Sequence, residues 1–342
     1  MKRRRVWQRI VSLLLVFVMV FTVAEIQPDA DAFAAAKTPL ATHGRLAVKG
    51  ADLVDAKGRK FQLRGVSTHG INWDVGYPYV NKAAFQTLRD DWGANAVRLA
   101  MYTSEYNGYC SGGNQAQLRN QIYKGVKYAT ELGMYVIIDW HILNDNNPNS
   151  HIDDAKEFFD DVSAKYSSNH NVIYEICNEP NGGTSWSDIK SYAEIIIPVI
   201  RKNDKNAIII VGTPNWSQDV DIVSEDPITG YDNIMYAVHF YAATHKDDLR
   251  NKVKTAISNG LPVFVSEFSL CDASGNGGID YDSSDVWFDL INDNNLSYAS
   301  WSLCNKNETS ALIKPDSTAT STITIDDLSD TGKYVRDKIL GN

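Results

Sequence analysis

The chain has 342 residues, 44% of them hydrophobic, with 33 Lys and Arg against 42 Asp and Glu and a formal charge of −9. A length of this order sustains its own hydrophobic core, so no disulfide framework is needed for folding. An acidic chain without a basic cluster speaks against nucleic acid and anionic membrane as partners and is compatible with a neutral polymer.

In chain order the first feature is a leader. Lys2, Arg3, Arg4, Arg5 and Arg9 precede the apolar run from Val11 to Val23, and Ala32-Phe33-Ala34 and Ala34-Ala35-Ala36 both fit a small-x-small cleavage site. This pattern predicts a secretory signal peptide over residues 1–36, cut around Ala34 to Ala36. The apolar run is short for a membrane span, which takes roughly 20 residues. A secreted, extracellular protein with no membrane association after cleavage is therefore expected. The leader holds five basic and three acidic side chains, which leaves residues 37–342 near −11. No linker, repeat or low-complexity run divides them, so one domain of ordinary size for an α/β barrel is expected.

That domain opens with Leu46–Lys49 and Asp52–Val54, joined through Gly50, which read as a short N-terminal β-hairpin. Short β-rich runs follow at Gln62–Val66, Ala96–Leu99, Tyr135–Asp139, Val172–Ile176, Ala207–Val211, Met235–Phe240, Pro262–Ser266 and Ser297–Trp301. Helical segments separate them at Asn81–Trp92, Gln115–Leu132, Ile152–Tyr166, Ile189–Lys202, Lys246–Asn259 and Ser283–Asn292, and a last helix covers Asp330–Leu340. Within Gln115–Leu132, Leu118, Ile122, Val126, Ala129 and Leu132 form one apolar stripe at three- and four-residue steps, and Gly133 supplies the stop. Several strands are apolar throughout, such as Ile208-Ile-Ile-Val211, the mark of parallel strands covered on both faces. Eight strand–helix units predict an α/β fold, a single (β/α)8 TIM barrel. An open doubly wound sheet fits less well, because Gly65-Val-Ser-Thr-His69-Gly70 fails the G-x-G-x-x-G spacing.

In such a barrel, chemistry collects at the C-terminal strand ends. Here every strand end delivers a polar or aromatic group: His69, Asn72 and Trp73; Arg98 and Tyr102; Asp139-Trp140-His141; Asn178-Glu179; Asn215-Trp216; His239-Phe240-Tyr241; Glu267; and Trp301. Glu179 and Glu267 lie on opposed strands and should face each other over the mouth. Two such carboxyls suit glycosidic bond hydrolysis, about 5–5.5 Å apart for retention and about 6.5–9.5 Å for inversion. The sequence alone leaves that choice open. Arg98 would keep Glu267 ionised, or plug the barrel against an acidic side chain. His239 and Tyr241, two apart on one strand, face the same way, His239 toward Glu179 and Tyr241 toward Glu267.

Trp73, Trp216 and Trp301 fall at expected loop positions, where aromatic faces against sugar C–H groups supply area at low entropy cost. Trp92 and Trp287 read as core. His43, His151, His170 and His245 have no partner pattern and read as surface. The four cysteines, Cys110, Cys177, Cys271 and Cys304, are too widely spaced for a C-x-x-C zinc site. Cys177 reads as a small buried hydrophobe, and whether Cys271 and Cys304 are bridged is open.

The stretches Leu63-Arg-Gly-Val-Ser-Thr-His69-Gly, Val136-Ile-Ile-Asp-Trp-His141, Ile173-Tyr-Glu-Ile-Cys-Asn-Glu179-Pro, Tyr236-Ala-Val-His239-Phe-Tyr241, Phe264-Val-Ser-Glu267-Phe and Trp301-Ser-Leu resemble glycoside hydrolase family 5, in its secreted bacterial endo-1,4-β-glucanases of the bacillus type. The likeness runs from about Lys37 to Gly341. It implies retaining double displacement on internal β-1,4 bonds of cellulose and related β-glucans, with Glu179 as acid/base and Glu267 as nucleophile. It also implies a surrounding shell of Arg98, His141, Asn178, His239 and Tyr241, with Asn178 on the sugar 2-hydroxyl. Tyr102 and His141 would line the cleavage point, and Trp73, Trp301, Lys306 and Glu308 would hold sugars on the non-reducing side. The family often has a cis peptide after the tryptophan matching Trp301. Phe268 departs from the usual tryptophan, and Cys271 and Cys304 occupy positions usually without cysteine, which bears on substrate detail. A monomer acting on β-glucan without cofactor or metal is the resulting expectation. A mannanase or xylanase of the same family, or a non-catalytic carbohydrate-binding barrel, is the alternative.

Overall fold

The computed structural model describes residues 38–341; the expected leader over 1–36 and its cleavage site lie outside the described residues. After a short helix α1 (Pro39–His43), strands β1 (Ala47–Lys49) and β2 (Asp52–Val54) form the expected antiparallel hairpin, with Val48 opposite Leu53. Eight parallel strands then close into a barrel in the order β10-β3-β4-β5-β6-β7-β8-β9. They are β3 (Arg64–Thr68), β4 (Ala96–Tyr102), β5 (Tyr135–His141), β6 (Val172–Glu175), β7 (Ile208–Val211), β8 (Ile234–Tyr241), β9 (Val263–Ser269) and β10 (Ser297–Leu303). Helices α2 (Lys82–Asp90), α3 (Gln115–Glu131), α4 (Ile152–Tyr166), α5 (Trp186–Asn203), α8 (Asp247–Ser258), α9 (Tyr281–Asp293) and α10 (Asp330–Leu340) cover the outside.

The helix starts follow from local chemistry. Asn81, Asn114, Asp280 and Ser329 each turn a side-chain oxygen onto a free amide of the first turn, and Ser185 with Asp188 forms a reciprocal capping box. Gly133 takes the left-handed conformation (φ 64°) just beyond α3, as expected of a residue without Cβ.

Two short helices were not expected, α6 (Pro214–Ser217) and α7 (Val220–Glu225). Each is too short to show a helical period, and Asn215, Trp216 and Ser217 all have positive φ (57°, 57° and 55°), so the segment is a left-handed turn more than a helix. Trp301, expected on a loop, lies inside β10, and the peptide following it is cis. Trp92 lies just past the end of α2 and, like Trp287, is core as expected.

The strands divide their side chains cleanly. On β5, Val136, Ile138 and Trp140 pack outward among the helices, whereas Tyr135 and Ile137 point into the barrel with Ile173, Ile208, Ile210, Met235 and Phe264. Leu46, Leu53 and Phe61 from the hairpin region close this inner cluster from below. One step further along the same inward rows, the apolar residues give way to Arg98, Asp139 and Glu175, each fully buried. The barrel is thus a dry apolar plug with a charged layer resting on it. No helix among the described residues is long and apolar enough to cross a membrane.

Phe264 is fully buried in the plug. Phe264→Ala should lower stability by about 3–5 kcal/mol, read as a lower urea midpoint at unchanged slope; an unmoved midpoint would show that the plug does not support the barrel.

Candidate active site

Above the charged layer lies a cleft of about 680 Å³ whose walls include Glu179, Glu267, His239, Tyr241, Trp216 and Trp301. His69, Tyr102, His141, Lys306 and Glu308 complete the expected part of the lining. A second, more open cavity of about 670 Å³ sits on the outer layer beside Tyr77 and α3, without a carboxylate in its walls.

Arg98 organises the base. Its Nε donates to Glu175 Oε2 (2.7 Å), its Nη1 to Glu267 Oε2 (3.1 Å) and its Nη2 to Asn178 Oδ1 (2.7 Å), with Asp139 Oδ2 at 3.0 Å from Nη2. Burial opposes its charge, but the carboxylates of Asp139, Glu175 and Glu267 outweigh that and raise its pKa. Both roles foreseen for Arg98, tuning Glu267 and plugging the barrel, are therefore present in one side chain. Asn178 also donates from Nδ2 to the Ile142 carbonyl (3.1 Å), which fixes its amide.

Glu267 accepts a second bond, from the Tyr241 hydroxyl (2.8 Å). Glu179 Oε1 is 2.9 Å from His239 Nδ1, while His239 Nε2 is 2.9 Å from Ser266 Oγ. Burial works against a charge on His239, yet the hydrogen bonds to Glu175 and Glu179 prevail and lift it to about 9. His141 goes the other way: burial, then the charge of Arg98, lower it to about 3. Its Nδ1 lies 2.5 Å from Asp139 Oδ2, and burial drives Asp139 upward, so this pair favours neutral partners. His69, lowered to about 3 by burial and then by Lys306, accepts from the Gly70 amide at Nδ1 (2.8 Å).

Aromatic rings continue the wall. Trp301 stacks on His141 (5.1 Å, 15°), His141 meets Tyr102 (4.1 Å), and Tyr102 meets Trp73 (4.6 Å). A Cβ on Gly70 would come within 2.5 Å of the Trp73 ring and 2.7 Å of Tyr102, so only glycine permits this packing. Trp73, with its indole N–H on the Tyr106 carbonyl (2.8 Å), backs Tyr102 and is not itself among the lining residues. Trp216 is 44% exposed and flanks the opposite side. Its turn is tied to β6: the Trp216 amide donates to the Pro180 carbonyl (2.9 Å) and the Ser217 hydroxyl to the Asn178 carbonyl (2.6 Å). Lys306 Nζ sits 2.6 Å from Glu308 Oε2, whose other oxygen is 4.0 Å from His69 Nε2.

Every expected site residue thus lies in or directly beneath one cleft, with Arg98 and Asn178 in its base and Trp73 behind it. The sequence reading placed Asn215 at a strand end without a role, and it missed Glu175, Ser266, Gln218, His245 and the Ala273–Gly275 loop. Glu175 carried a signal, since it shares the inward parity of Ile173 and stands four residues before Glu179. His245 was expected at the surface; instead it lines the cleft, accepts from the Tyr241 amide (2.8 Å) and is lowered to about 4 by burial and then by His239. His43 and His151 also have partners, Asp55 and Ser104, whereas His170 is exposed. All four cysteines are free, so the open question of a Cys271–Cys304 bridge is answered by two buried thiols, each raised to about 11 by burial. Phe268 points outward, stacked on Phe240 (5.3 Å).

Two groups have metal-ligand spacing, Glu179–His239–Glu267 and Cys110–His151–Asp154. In the first, hydrogen bonds from Arg98 and Tyr241 and the Glu179–His239 contact already engage the candidate ligand groups.

A family model described as cellulase (glycosyl hydrolase family 5) matches residues 54–307. The chain belongs to glycosyl hydrolase family 5. It is 50% identical over 301 residues to endoglucanase A of Butyrivibrio fibrisolvens, covering 87% of this chain and 69% of that protein. It is 47% identical over 331 residues to an endoglucanase of Clostridium saccharobutylicum, covering 96% and 72%. Among solved structures, the catalytic domain of a Thermobifida fusca endoglucanase in complex with cellotetraose superposes with a TM-score of 0.83 at 36% identity, over 89% of this chain and 99% of that one. This family 5 barrel thus shares its fold with the Thermobifida fusca domain over nearly the whole of that chain.

The charged base sets a pH dependence. Burial raises Glu175, but Arg98 dominates and holds it at about 2, against about 4.3 in an unfolded chain. A depressed carboxyl stabilises the fold above its unfolded pKa, and that contribution fades as pH falls toward 2. Arg98→Leu should cost about 3–5 kcal/mol at pH 7 and clearly less at pH 4, where the orphaned carboxylates take up protons. Urea unfolding at both pH values measures this, and an equal loss at both would refute it.

Proposed function

We propose that this family 5 barrel is an endo-1,4-β-glucanase that cleaves internal β-1,4 bonds of cellulose and related β-glucans with retention at the anomeric carbon. The observation that carries the reading is the approach of the two opposed glutamates: an oxygen of Glu179, an oxygen of Glu267 and a nitrogen of His239 all lie within 4.8 Å of one another. Such closeness of the nearest oxygens supports the retaining spacing of about 5–5.5 Å over the spacing of about 6.5–9.5 Å at an inverting site.

In this reading Glu267, paired with Arg98 and Tyr241, is the nucleophile. Its carboxylate attacks the anomeric carbon as the glycosidic C–O bond breaks, and Glu179 gives its proton to the departing oxygen. The resulting glycosyl ester is hydrolysed by water, from which Glu179 takes a proton as the C–O bond to Glu267 breaks. Two displacements at one carbon restore its configuration. Asn178, held by Arg98, is placed for the sugar 2-hydroxyl. Trp301 with Tyr102 and His141 forms one sugar-facing wall, Trp216 the other, and Lys306 with Glu308 supplies polar contacts at one end. The relatives' names as endoglucanases support β-glucan over mannan or xylan as substrate. Export under a leader over residues 1–36, a single domain over 37–342 and action as a monomer belong to the same proposal.

Glu267→Gln should lower turnover of carboxymethylcellulose by about 10⁴-fold while cello-oligosaccharide binding stays measurable; near-native turnover would reject it as nucleophile. Proton NMR of the first product should show the β-anomer, and an α-anomer would overturn retention. Reducing-sugar release should favour carboxymethylcellulose over mannan and xylan; a tenfold preference for mannan would overturn the glucanase assignment.

A further inference from the structure

Glu175 touches no part of the cleft, yet it is fully buried beside the groups that line it. Its Oε2 accepts from Arg98 Nε (2.7 Å), and its Oε1 accepts from Arg98 Nη2 (3.2 Å) and lies 3.8 Å from His239 Nε2. With Asp139 neutral beside His141, Glu175 still adds a second carboxylate to Glu267 around one guanidinium. The surplus charge faces the ring of His239. That ring has Glu179 against Nδ1 (2.9 Å), and Ser266 (2.9 Å) and then Glu175 (3.8 Å) against Nε2.

We propose that Glu175 is a positioning residue for the proton-donor half of the site: acting through His239, it governs how one proton is shared between His239 and Glu179. This rests on the acid/base assignment of Glu179 above. The Ser266 hydroxyl accepting at Nε2, with the negative charge of Glu175 3.8 Å behind it, keeps a proton on that nitrogen and leaves Nδ1 toward Glu179 as the exchanging position. The shared proton lies between Nδ1 and Glu179 Oε1. When the glycosidic C–O bond breaks, that proton leaves on the alcohol oxygen, and the pair is left as neutral imidazole and carboxylate. In the second displacement Glu179 takes a proton from the attacking water, which resets the pair. No other co-reactant is required.

The groups acting on His239 come from every strand packed against it. Glu175 and Glu179 belong to β6 and its end, Ser266 and Glu267 to β9, Arg98 to β4, and Asp139 and His141 to β5. His245 follows β8 on the same side. Four carboxyl groups thus surround the ring against one guanidinium, and Glu175 is the one among them that the displacement chemistry does not use and that reaches the far edge of the imidazole.

The test compares two substrates in Glu175→Gln. A cello-oligosaccharide has a poor leaving group that needs the proton, whereas a dinitrophenyl cellobioside leaves without one. The basic limb of kcat/KM for the oligosaccharide should move to lower pH by about 1 unit or more, with kcat at neutral pH reduced about tenfold and KM little changed. The dinitrophenyl substrate should be hydrolysed at close to the native rate. A basic limb at its native position, or an equal loss with both substrates in a protein that still binds cello-oligosaccharide, would overturn the proposal. Should Glu175→Gln fail to fold, Ser266→Ala removes the other Nε2 acceptor without changing any charge. It should move the basic limb in the same direction by less, and an unmoved limb would again overturn it. Glu179→Gln separates the two readings. If the first-turnover release of dinitrophenolate, which needs no proton, is lost as fully as oligosaccharide cleavage, the acid/base assignment itself fails. If it discriminates by leaving group and Glu175→Gln does not, only the role of Glu175 falls.

Discussion

The guanidinium of Arg98, with three carboxyl groups around it in a space closed to water, is the constraint on which the site depends. A carboxylate in such surroundings would take up a proton rather than stay charged. One fixed cation, unable to lose its own proton, keeps Glu175 an anion in this buried layer and pairs with Glu267 beside it. The placement follows from the inward rows of the strands. The rows that begin with Tyr135, Ile137 and Ile173 reach Asp139 and Glu175 by alternation, and a register shift in β9 between Phe264 and Glu267 turns Glu267 inward as well, so the apolar plug and the charged layer are successive storeys of one structure. Water excluded from below by the plug cannot screen the layer above.

Much of this was legible in the residues. Continuous apolar strands, amphipathic helices with Asn, Asp and Ser at their starts, and a polar group at every strand end identify the barrel and its working face. Glu179 and Glu267 could be paired from their places at the ends of opposed strands, and His239 and Tyr241 joined to them by their shared parity on one strand. What escaped was whatever depends on depth or on loop conformation. Glu175 shares the inward parity of Ile173, but its partner Arg98 lies 77 residues earlier, so the ion pair that lets it stay buried shows only in the fold. His245 follows β8 by a turn whose direction only the fold defines, and it came out lining the cleft. The left-handed turn at Asn215 to Ser217 has no glycine to announce it. Trp301 reads as the strand's last residue opening onto a loop, whereas β10 runs two residues further and keeps it inside the strand.

The two faces of the cleft are built on different principles. On one, Trp73, Tyr102, His141 and Trp301 form a chain of touching rings, closely fitted over Gly70. Their mutual contacts immobilise side chains that would otherwise lose entropy on meeting a sugar, so the cost of ordering is met during folding. On the other face Trp216 stands alone and exposed. The first wall acts as a rigid template, and the second as a single broad platform over which a polymer can be laid from outside.

That platform is joined to the catalytic strand by the backbone of its own turn. The amide of Trp216 is bonded to Pro180, the residue after Glu179, and Ser217 reaches the carbonyl of Asn178, the residue before it. On the proposed reading, grip and proton delivery are therefore tied together. A glucan unit resting on the indole would be registered against the carboxyl of Glu179 through these two hydrogen bonds, so the distance from the surface hold to the bond being cut would be set by the protein rather than by where the polymer happens to land.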